Sequence, residues 1–200
     1  MIAQAMADAL PLPSSRTTDC QRRTVLRGAA GLVLAWLTPV HAVAQDAPGP
    51  PPGDGDLLVR VGDANLIPIA PDDVPFDGRG LMVWAITPKG DVVKNSPMHR
   101  IIVARLNPAS LAEGTRALAA DDVVAYSAIC THNGCEVDEP LGDSQTIFCS
   151  CHSSTFDPRE SGAVIGGPAH RRLPQLPVRQ VDGRIVVAGP FTATPGYGPL

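Results

Sequence analysis

The 200-residue chain has 16 lysines and arginines against 20 aspartates and glutamates, and its formal net charge of −4 argues against a nucleic-acid-binding protein. Hydrophobic residues make up 44% of the chain, which is enough for one ordinary core. The 19 glycines and 21 prolines favour strands and turns over long helices.

The first 44 residues have the pattern of an export signal. Arg22 and Arg23, followed by TVLR, resemble the twin-arginine motif, with Val25 where phenylalanine is more usual. An apolar run over 28–40 comes next, and the small residues AVA at 42–44 offer a cleavage site. Because the twin-arginine route exports proteins already folded around a cofactor, residues 1–44 predict a cofactor inserted in the cytoplasm and a periplasmic location.

Two alternatives for this leader remain. If it is not cleaved, residues 24–44 would associate with the inner membrane and anchor a domain that faces the periplasm. The apolar run has only about 13 residues, whereas a membrane-spanning helix needs about 20. Cleavage is therefore the favoured prediction. The other alternative is an arginine pair ahead of an ordinary amphipathic helix.

Residues 45–56, QDAPGPPPGDGD, have almost nothing to bury and predict a solvated, partly extended tether. The folded domain is expected over 57–200. Short apolar runs separated by turn residues predict strands over 57–61, 81–86, 100–106, 123–129, 146–148 and 184–188.

Turn-forming residues indicate where the predicted strands are connected. The sequences KGD at 89–91 and DG at 182–183 are typical of hairpins. Residues 107–122 begin with a plausible helix start but contain Gly114, so they predict one or two short helical turns. Many short strands separated in this way predict an all-β protein, an antiparallel barrel or sandwich.

Four of the five cysteines lie in two short boxes, CTHNGC at 130–135 and CSCHSS at 149–154. Each box follows an apolar strand, so both are expected on loops at strand ends, where they can meet over one ligand. The fifth cysteine, Cys20, lies in the leader. In an oxidising compartment the remaining four can include a disulfide.

A zinc ion and a redox-active dithiol are two candidates for these boxes. Two cysteines and two histidines can ligate zinc, but zinc hairpins usually place both cysteines on one arm and both histidines on the other. Here each loop offers one cysteine, one histidine and a further cysteine. That symmetry favours a binuclear cluster in which one iron takes two thiolates and the other takes two imidazoles.

The boxes resemble the CTHLGC and CPCHGS motifs of Rieske [2Fe-2S] proteins, in the disulfide-containing type found in the arsenite oxidase small subunit and in cytochrome bc complexes. The resemblance is strong over 121–168. It implies one [2Fe-2S] cluster per chain, held by two loops of a Rieske-type antiparallel β-barrel or sandwich. By position it implies these roles: one iron bound by Cys130 and Cys149, the other bound by His132 and His152, a disulfide between Cys135 and Cys151, and a hydrogen bond from Ser154 to a bridging sulfide.

Two features near the boxes bear on the redox potential. Imidazole ligands reduce the negative charge of the cluster, so Rieske potentials lie near −150 to +300 mV against about −400 mV for plant-type ferredoxins. Phe156 stands where proteins of bc complexes have a tyrosine that donates to a ligand thiolate. Its missing hydroxyl predicts a positive potential below that of proteins with both donors. GGPAH at 166–170 resembles the loop that covers the cluster, and His170 is expected at the surface rather than as a ligand.

The resemblance leaves several classes of Rieske protein to separate. A Rieske oxygenase needs a further domain with a mononuclear iron, for which this chain has no room. Proteins of bc complexes usually have leucine at the position of Asn133 and keep a membrane anchor. The stretch 121–135, with the serine and phenylalanine that follow, is closer to the arsenite-oxidase type. The C-terminal GPFTATPGYGPL, 189–200, fits neither family well.

The sequence therefore predicts an electron-transfer subunit of an oxidoreductase rather than a stand-alone catalyst. It would carry one electron between a periplasmic oxidoreductase partner, of which a molybdenum enzyme is one candidate, and a c-type cytochrome-like acceptor, through the edge at His132 and His152. The first alternative is a membrane-anchored Rieske subunit of a ubiquinol–cytochrome c reductase. The second is a non-catalytic interaction subunit with a structural metal site.

Overall fold

The structure, a computed structural model, describes residues 50–76, 78–93, 96–137 and 144–198. The predicted leader at 1–44 and the first residues of the predicted tether lie outside the described residues. Within these ranges, no helix combines the length and the apolar character needed to cross a membrane.

Short strands dominate the described residues, as the composition predicts. The strands are β1 Leu57–Arg60, β2 Leu81–Ile86, β3 Ile101–Arg105, β4 Val123–Ser127, β5 Ile147–Cys149, β6 Ser154–Asp157, β7 Ala163–Gly166, β8 Gln175–Leu176, β9 Val178–Val181 and β10 Arg184–Val187. The helical turns expected within 107–122 are present as a 3-10 turn, Pro108–Ser110, and a one-turn helix, α1 Glu113–Arg116.

The larger sheet has seven antiparallel strands in the order β8-β4-β3-β2-β1-β10-β9. Its two edge strands, β8 and β9, are separated along the chain by Pro177 alone. One residue spans about 3.5 Å, and neighbouring strands lie about 4.8 Å apart, so one residue cannot join the edges of a flat seven-stranded sheet. The sheet must therefore curl until its edges approach each other, and the predicted antiparallel all-β barrel is confirmed.

β4 is buried on both faces and forms the common wall of two cores. Val123 and Ala125 belong to the core inside the barrel, whereas Val124 and Tyr126 belong to a second core on the other face. Side chains alternate between the two faces of a strand, so a strand that is covered on both sides needs a continuous apolar run. This explains why 123–129 shows no polar alternation.

The smaller sheet, β5-β6-β7, covers the outer face of β4. The Tyr126 hydroxyl is fully buried and donates a hydrogen bond of 2.7 Å to the carbonyl oxygen of Pro158, between β6 and β7. Burial raises the pKa of Tyr126 well above its usual value, so the phenol stays protonated and keeps donating. The hydrogen bond and the shared core position the small sheet on the barrel.

The sequence predicted six strands that the structure contains, with ends shifted by up to two residues, but it did not predict β6 to β9. Those four are short or interrupted by polar residues. The predicted hairpin at 182–183 joins β9 to β10, and its two residues have φ angles of 48° and 74°. Positive φ at both central residues is the requirement of a type I′ turn.

The N-terminal boundary differs slightly from the predicted one. β1 begins at Leu57, but the chain contacts the sheet before that point. The backbone nitrogen of Gly55 donates to the carbonyl oxygen of Val187 at 3.0 Å, and the nitrogen of Val187 donates to the carbonyl oxygen of Asp56 at 2.8 Å. The last residues of the predicted tether therefore contact β10.

Candidate metal centre

The first box forms a tight loop after β4. The backbone nitrogen of Cys130 donates to the carbonyl oxygen of Cys135 at 2.7 Å, and the nitrogen of Gly134 donates to the carbonyl oxygen of Cys130 at 3.0 Å. Gly134 has a φ angle of 76°, which is strained for residues with a side chain. The loop therefore returns on itself and presents its side chains on one side of the molecule.

The second box forms the turn between β5 and β6, where Cys149 pairs with Ser154. The backbone nitrogen of Ser153 donates to the carbonyl oxygen of Cys149 at 2.9 Å, and Ser153 has a φ angle of 61°. This closed turn leaves Cys149 and Ser154 buried at its base and His152 exposed at its tip.

The structure brings the two loops together. A disulfide joins Cys135 and Cys151, with Cα atoms 6.6 Å apart, which is the pairing implied by the resemblance. The rings of His132 and His152 lie with their centroids 4.7 Å apart and meet edge to face. The sulfur of Cys149 lies within 4.8 Å of both disulfide sulfurs. The six predicted cysteine and histidine residues therefore occupy these two contacting loops.

Among the cysteines that the structure describes, Cys130 and Cys149 are free thiols, and each has only 1% of its surface exposed. Burial raises the pKa of the Cys149 thiol, a backbone hydrogen bond from Cys151 lowers it, and the adjacent Cys130 thiol raises it. The Cys149 thiol resists ionisation because neither water nor a counter-charge stabilises its thiolate in this buried position. A bound iron supplies that counter-charge, so the pair suits a metal.

The imidazole of His132 also fits a metal site. Its Nδ1 atom is buried, and it has no hydrogen-bond partner among the residues that the structure describes. A buried polar atom without a partner is unfavourable by about 1–3 kcal/mol, and a neutral imidazole nitrogen is a common metal ligand. The residues present therefore fit an iron–sulfur cluster with mixed thiolate and imidazole ligands. The assignment of the four ligands, Cys130, His132, Cys149 and His152, stays a prediction.

A third loop, 166–170, packs against the second box. Gly167 has a φ angle of 76°, and a Cβ atom there would lie 2.6 Å from the backbone nitrogen of Ser154. The nitrogen of Ala169 donates to the Ser154 hydroxyl oxygen at 3.2 Å. Because the oxygen accepts this bond, the hydroxyl proton is left to donate elsewhere. The close approach explains the glycine at this point of the predicted covering loop.

Phe156 lies on β6, fully buried in the same core as Cys130 and Cys149. The side chain fills this space without adding a polar group. The structure thus places Phe156 in the same core as the predicted thiolate ligands. The missing donor stays a prediction.

Three further histidines are not among the predicted ligands. His170 is exposed, as expected. His99 is half-buried, and burial lowers its pKa. It lines an apolar groove of about 370 Å³ with Met98 and Phe191 among its neighbours. His41 lies outside the described residues.

Sequence reasoning missed two residues that fix the loops. The Thr131 hydroxyl, which lies inside the first box, donates to the carbonyl oxygen of Arg171 at 2.7 Å. The backbone of Ala169 holds Ser154. No sequence motif predicts either contact, because each joins segments that are distant along the chain.

Known proteins show the same signature. The Rieske [2Fe-2S] domain family matches residues 82–177. The cytochrome bc1 complex Rieske iron-sulfur subunit of Streptomyces lividans is 34% identical over 146 residues, which cover 68% of this chain and 82% of that protein. A Haloferax mediterranei protein, named provisionally as the Rieske subunit of a respiratory nitrate reductase, is 43% identical over 75 residues, 37% of this chain and 33% of that protein. This chain therefore spans about a third of the Haloferax protein.

Among solved structures, the cyanobacterial plasma membrane Rieske protein PetC3 from Synechocystis PCC 6803 is 25% identical, and the alignment covers 55% of this chain and 86% of that chain with a TM-score of 0.36. The match to the Streptomyces subunit extends over most of that protein and confirms the resemblance found in the two boxes. This chain belongs to the Rieske [2Fe-2S] family, whose cofactor is a [2Fe-2S] cluster.

Proposed function

We propose that this Rieske electron-transfer protein is a periplasmic subunit that carries single electrons between a larger oxidoreductase and a c-type cytochrome-like acceptor. The observation that carries the proposal is an asymmetry of burial. The predicted thiolate ligands, Cys130 and Cys149, are buried, whereas His152 is exposed and His132 is half-buried. An electron therefore leaves or enters most directly at the histidine edge.

The residues around the site favour fast, reversible transfer. When bound, the [2Fe-2S] cluster supplies a centre that accepts and donates one electron. The disulfide between Cys135 and Cys151 holds the two loops together. The buried thiols and the core around Phe156 keep water from the protein side of the site. A site that is fixed before transfer needs little rearrangement when its charge changes.

Two features support a periplasmic location. The first is the twin-arginine pattern within 1–44, which predicts export of a folded protein. The disulfide is the second feature, because disulfides persist in oxidising compartments and are rare in the cytosol. An inner-membrane anchor at 24–44 with the domain facing the periplasm is the alternative location.

The partner is argued from the relatives and from Asn133. Relatives named as subunits of a bc1 complex and of a respiratory nitrate reductase support a larger oxidoreductase as the partner. Asn133 is exposed at the tip of the first loop and offers a polar contact where leucine is usual in bc complexes. We therefore favour a soluble oxidoreductase, with a molybdenum enzyme as one candidate, over a quinol-oxidising partner in the membrane.

One experiment separates the candidates. Natively exported protein is reduced with dithionite, examined by low-temperature EPR and titrated against potential, and its oxidation by a c-type cytochrome is followed by stopped flow. We expect a rhombic signal with an average g value below that of the free electron, a positive midpoint and rapid haem reduction. The variant Cys149→Ser is the control and should lose both the signal and the transfer.

Other results would redirect the assignment. If the protein gives no EPR signal and contains one zinc ion, the two loops hold a structural ion instead of a cluster. The chain would then be an interaction subunit. A leader that stays attached in the membrane fraction, together with quinol-dependent cytochrome reduction, would favour the ubiquinol–cytochrome c reductase subunit.

A further inference from the structure

The C-terminal segment after β10, residues 190–198, packs back onto the domain. The backbone nitrogen of Thr192 donates to the carbonyl oxygen of Gln175 at 2.9 Å. In return the nitrogen of Gln175 donates to the Thr192 hydroxyl at 2.9 Å. These two hydrogen bonds attach the segment to β8, the strand that pairs with β4.

The segment then reaches the residue that precedes the first box. Gly196 is buried with a φ angle of 75°. A Cβ atom at this position would clash with the Met98 methyl group and lie 3.2 Å from the Cγ2 atom of Ile129. The positive φ angle and the close contact with Ile129 both favour glycine here, because a side chain would strain the backbone and displace its neighbours. The segment therefore lies directly against Ile129, the residue before Cys130.

Arg171 connects the same segment to the residue on the other side of Cys130. Its guanidinium group donates to the carbonyl oxygen of Thr194 at 3.2 Å and to that of Gly196. Its own carbonyl oxygen accepts the 2.7 Å hydrogen bond from the buried Thr131 hydroxyl. Both chain neighbours of Cys130 are thus held by the C-terminal segment, one directly and one through Arg171.

We propose that residues 190–198 form a strap, with Arg171 as its positioning residue, that fixes the first loop and thereby sets the retention and the midpoint potential of the cluster. This proposal rests on the proposed function, because it requires a Rieske cluster in these loops. A ligand thiolate whose two neighbours are immobilised cannot move away from its iron, so the cluster resists loss. Fixing the loop also limits the approach of water, which alters the potential of an iron–sulfur centre.

Burying Arg171 has an energetic cost that would be unnecessary if the C-terminal segment were held by apolar packing alone. Its Nε atom is buried without a hydrogen-bond partner among the described residues. An aliphatic residue at this position would avoid that cost but would leave the strap carbonyls unheld. Both strap carbonyls accept from the same Nη2 atom of Arg171, whose two N–H bonds are fixed in the guanidinium plane. The ammonium group of lysine is a rotating point charge without that fixed direction.

The test compares the holo-protein with two strap variants, Arg171→Lys and Gly196→Ala, and with a chain ended after Gly189. We measure the rate of loss of the visible cluster absorbance in excess chelator, the midpoint potential and the EPR g values. For Arg171→Lys we expect about tenfold faster cluster loss, the order that losing one charge-assisted hydrogen bond gives. Gly196→Ala and the shortened chain should also lose the cluster faster than wild type, and all three should have a shifted midpoint. If the shortened chain does not fold, the two point variants alone test the role of the strap.

Arg184→Lys is the matched control. Arg184 also donates to a backbone carbonyl, that of Pro68, at 2.8 Å, but it lies on β10, which three strands separate from β4 in the sheet. This variant should lose the cluster at the wild-type rate.

Amide hydrogen exchange in peptides over 128–137 keeps the two proposals distinguishable. The strap variants should exchange faster there than wild type, whether or not the wild-type EPR signal is of Rieske type. Wild-type rates, midpoint and exchange in both point variants would overturn the strap and leave the proposed function intact. A wild-type protein without a Rieske signal would overturn the proposed function.

Discussion

The backbone nitrogen of Ala169 lies 3.2 Å from the hydroxyl oxygen of Ser154 and donates a hydrogen bond to it. Ser154 is fully buried, so its own proton has no access to water. The acceptor role toward Ala169 orients the hydroxyl, and the proton is free to point to the predicted cluster.

Ser154→Ala tests this orientation through the midpoint potential. A hydrogen bond to a charged acceptor is worth about 1.5–3 kcal/mol, and tenfold in a one-electron equilibrium is 59 mV. The bond exists in both redox states and is stronger to the reduced, more negative cluster, so only the difference shifts the potential. We expect the midpoint to fall, by at most about 65–130 mV, while the EPR signal persists. Ser153→Ala is the control, because Ser153 is exposed and should leave the midpoint unchanged. An equal shift in both variants would contradict a specific role for Ser154.

Phe156→Tyr should raise the midpoint potential. The new hydroxyl would be buried in the core that also contains the predicted thiolate ligands, so it needs an acceptor there. By the resemblance, that acceptor is a ligand thiolate. That bond favours the reduced, more negative cluster and raises the potential by tens of millivolts, within the range that charged hydrogen bonds give. Phe148→Tyr, on the half-buried middle position of β5, is the control. Protein film voltammetry measures both, and an unchanged midpoint in Phe156→Tyr would sink this account of the potential.

Cys135→Ser should weaken the domain without removing a predicted ligand. The disulfide to Cys151 spans a sequence separation of 16, and closing a loop of this size stabilises a protein by about 3 kcal/mol. Guanidinium unfolding of the variant should show a loss of this order and faster release of iron. Wild type unfolded under a reductant should match the variant. The double variant Cys135→Ser with Cys151→Ser should have the same free energy of unfolding as Cys135→Ser alone. Equal stability of Cys135→Ser and wild type would contradict the prediction.

Tyr126→Phe should destabilise the contact between the small sheet and the barrel. The change leaves the carbonyl oxygen of Pro158 buried without its donor, which costs about 1–3 kcal/mol. Urea unfolding followed by circular dichroism measures this loss. Tyr197→Phe is the control, since that side chain is 69% exposed and its loss should stay within about 0.5 kcal/mol.

The same tyrosine predicts a dependence of stability on pH. The pKa of Tyr126 is raised in the folded protein, whereas in the unfolded chain it is about 10. As pH rises above about 10, the unfolded chain releases the Tyr126 proton while the folded protein still holds it. The free energy of unfolding, unaffected by this group below pH about 10, therefore falls. Wild type should therefore lose more stability between neutral pH and pH about 11 than Tyr126→Phe does. Parallel curves for the two proteins would contradict the raised pKa.

The sequence by itself determined the chemistry of the site and the outline of the barrel. Two boxes of Cys and His following apolar strands were sufficient to indicate the family, and the pairing of Cys135 with Cys151 followed from that resemblance. Strands buried on one or both faces were readable because burial imposes a local pattern of apolar residues. The hairpin at 182–183 was readable because its turn requires positive φ angles.

Only the tertiary structure decided which distant segments support those boxes. β8 has two residues and forms because β4 offers it a partner. Thr131 meets Arg171, and Gly196 meets Ile129, across large separations in sequence. Such contacts produce no periodic pattern in the sequence, because they depend on where several loops lie once the sheet has closed. The exposure of His152 and the burial of Cys149 were decided at the same step, since the final packing of the loops determines which predicted ligand faces solvent.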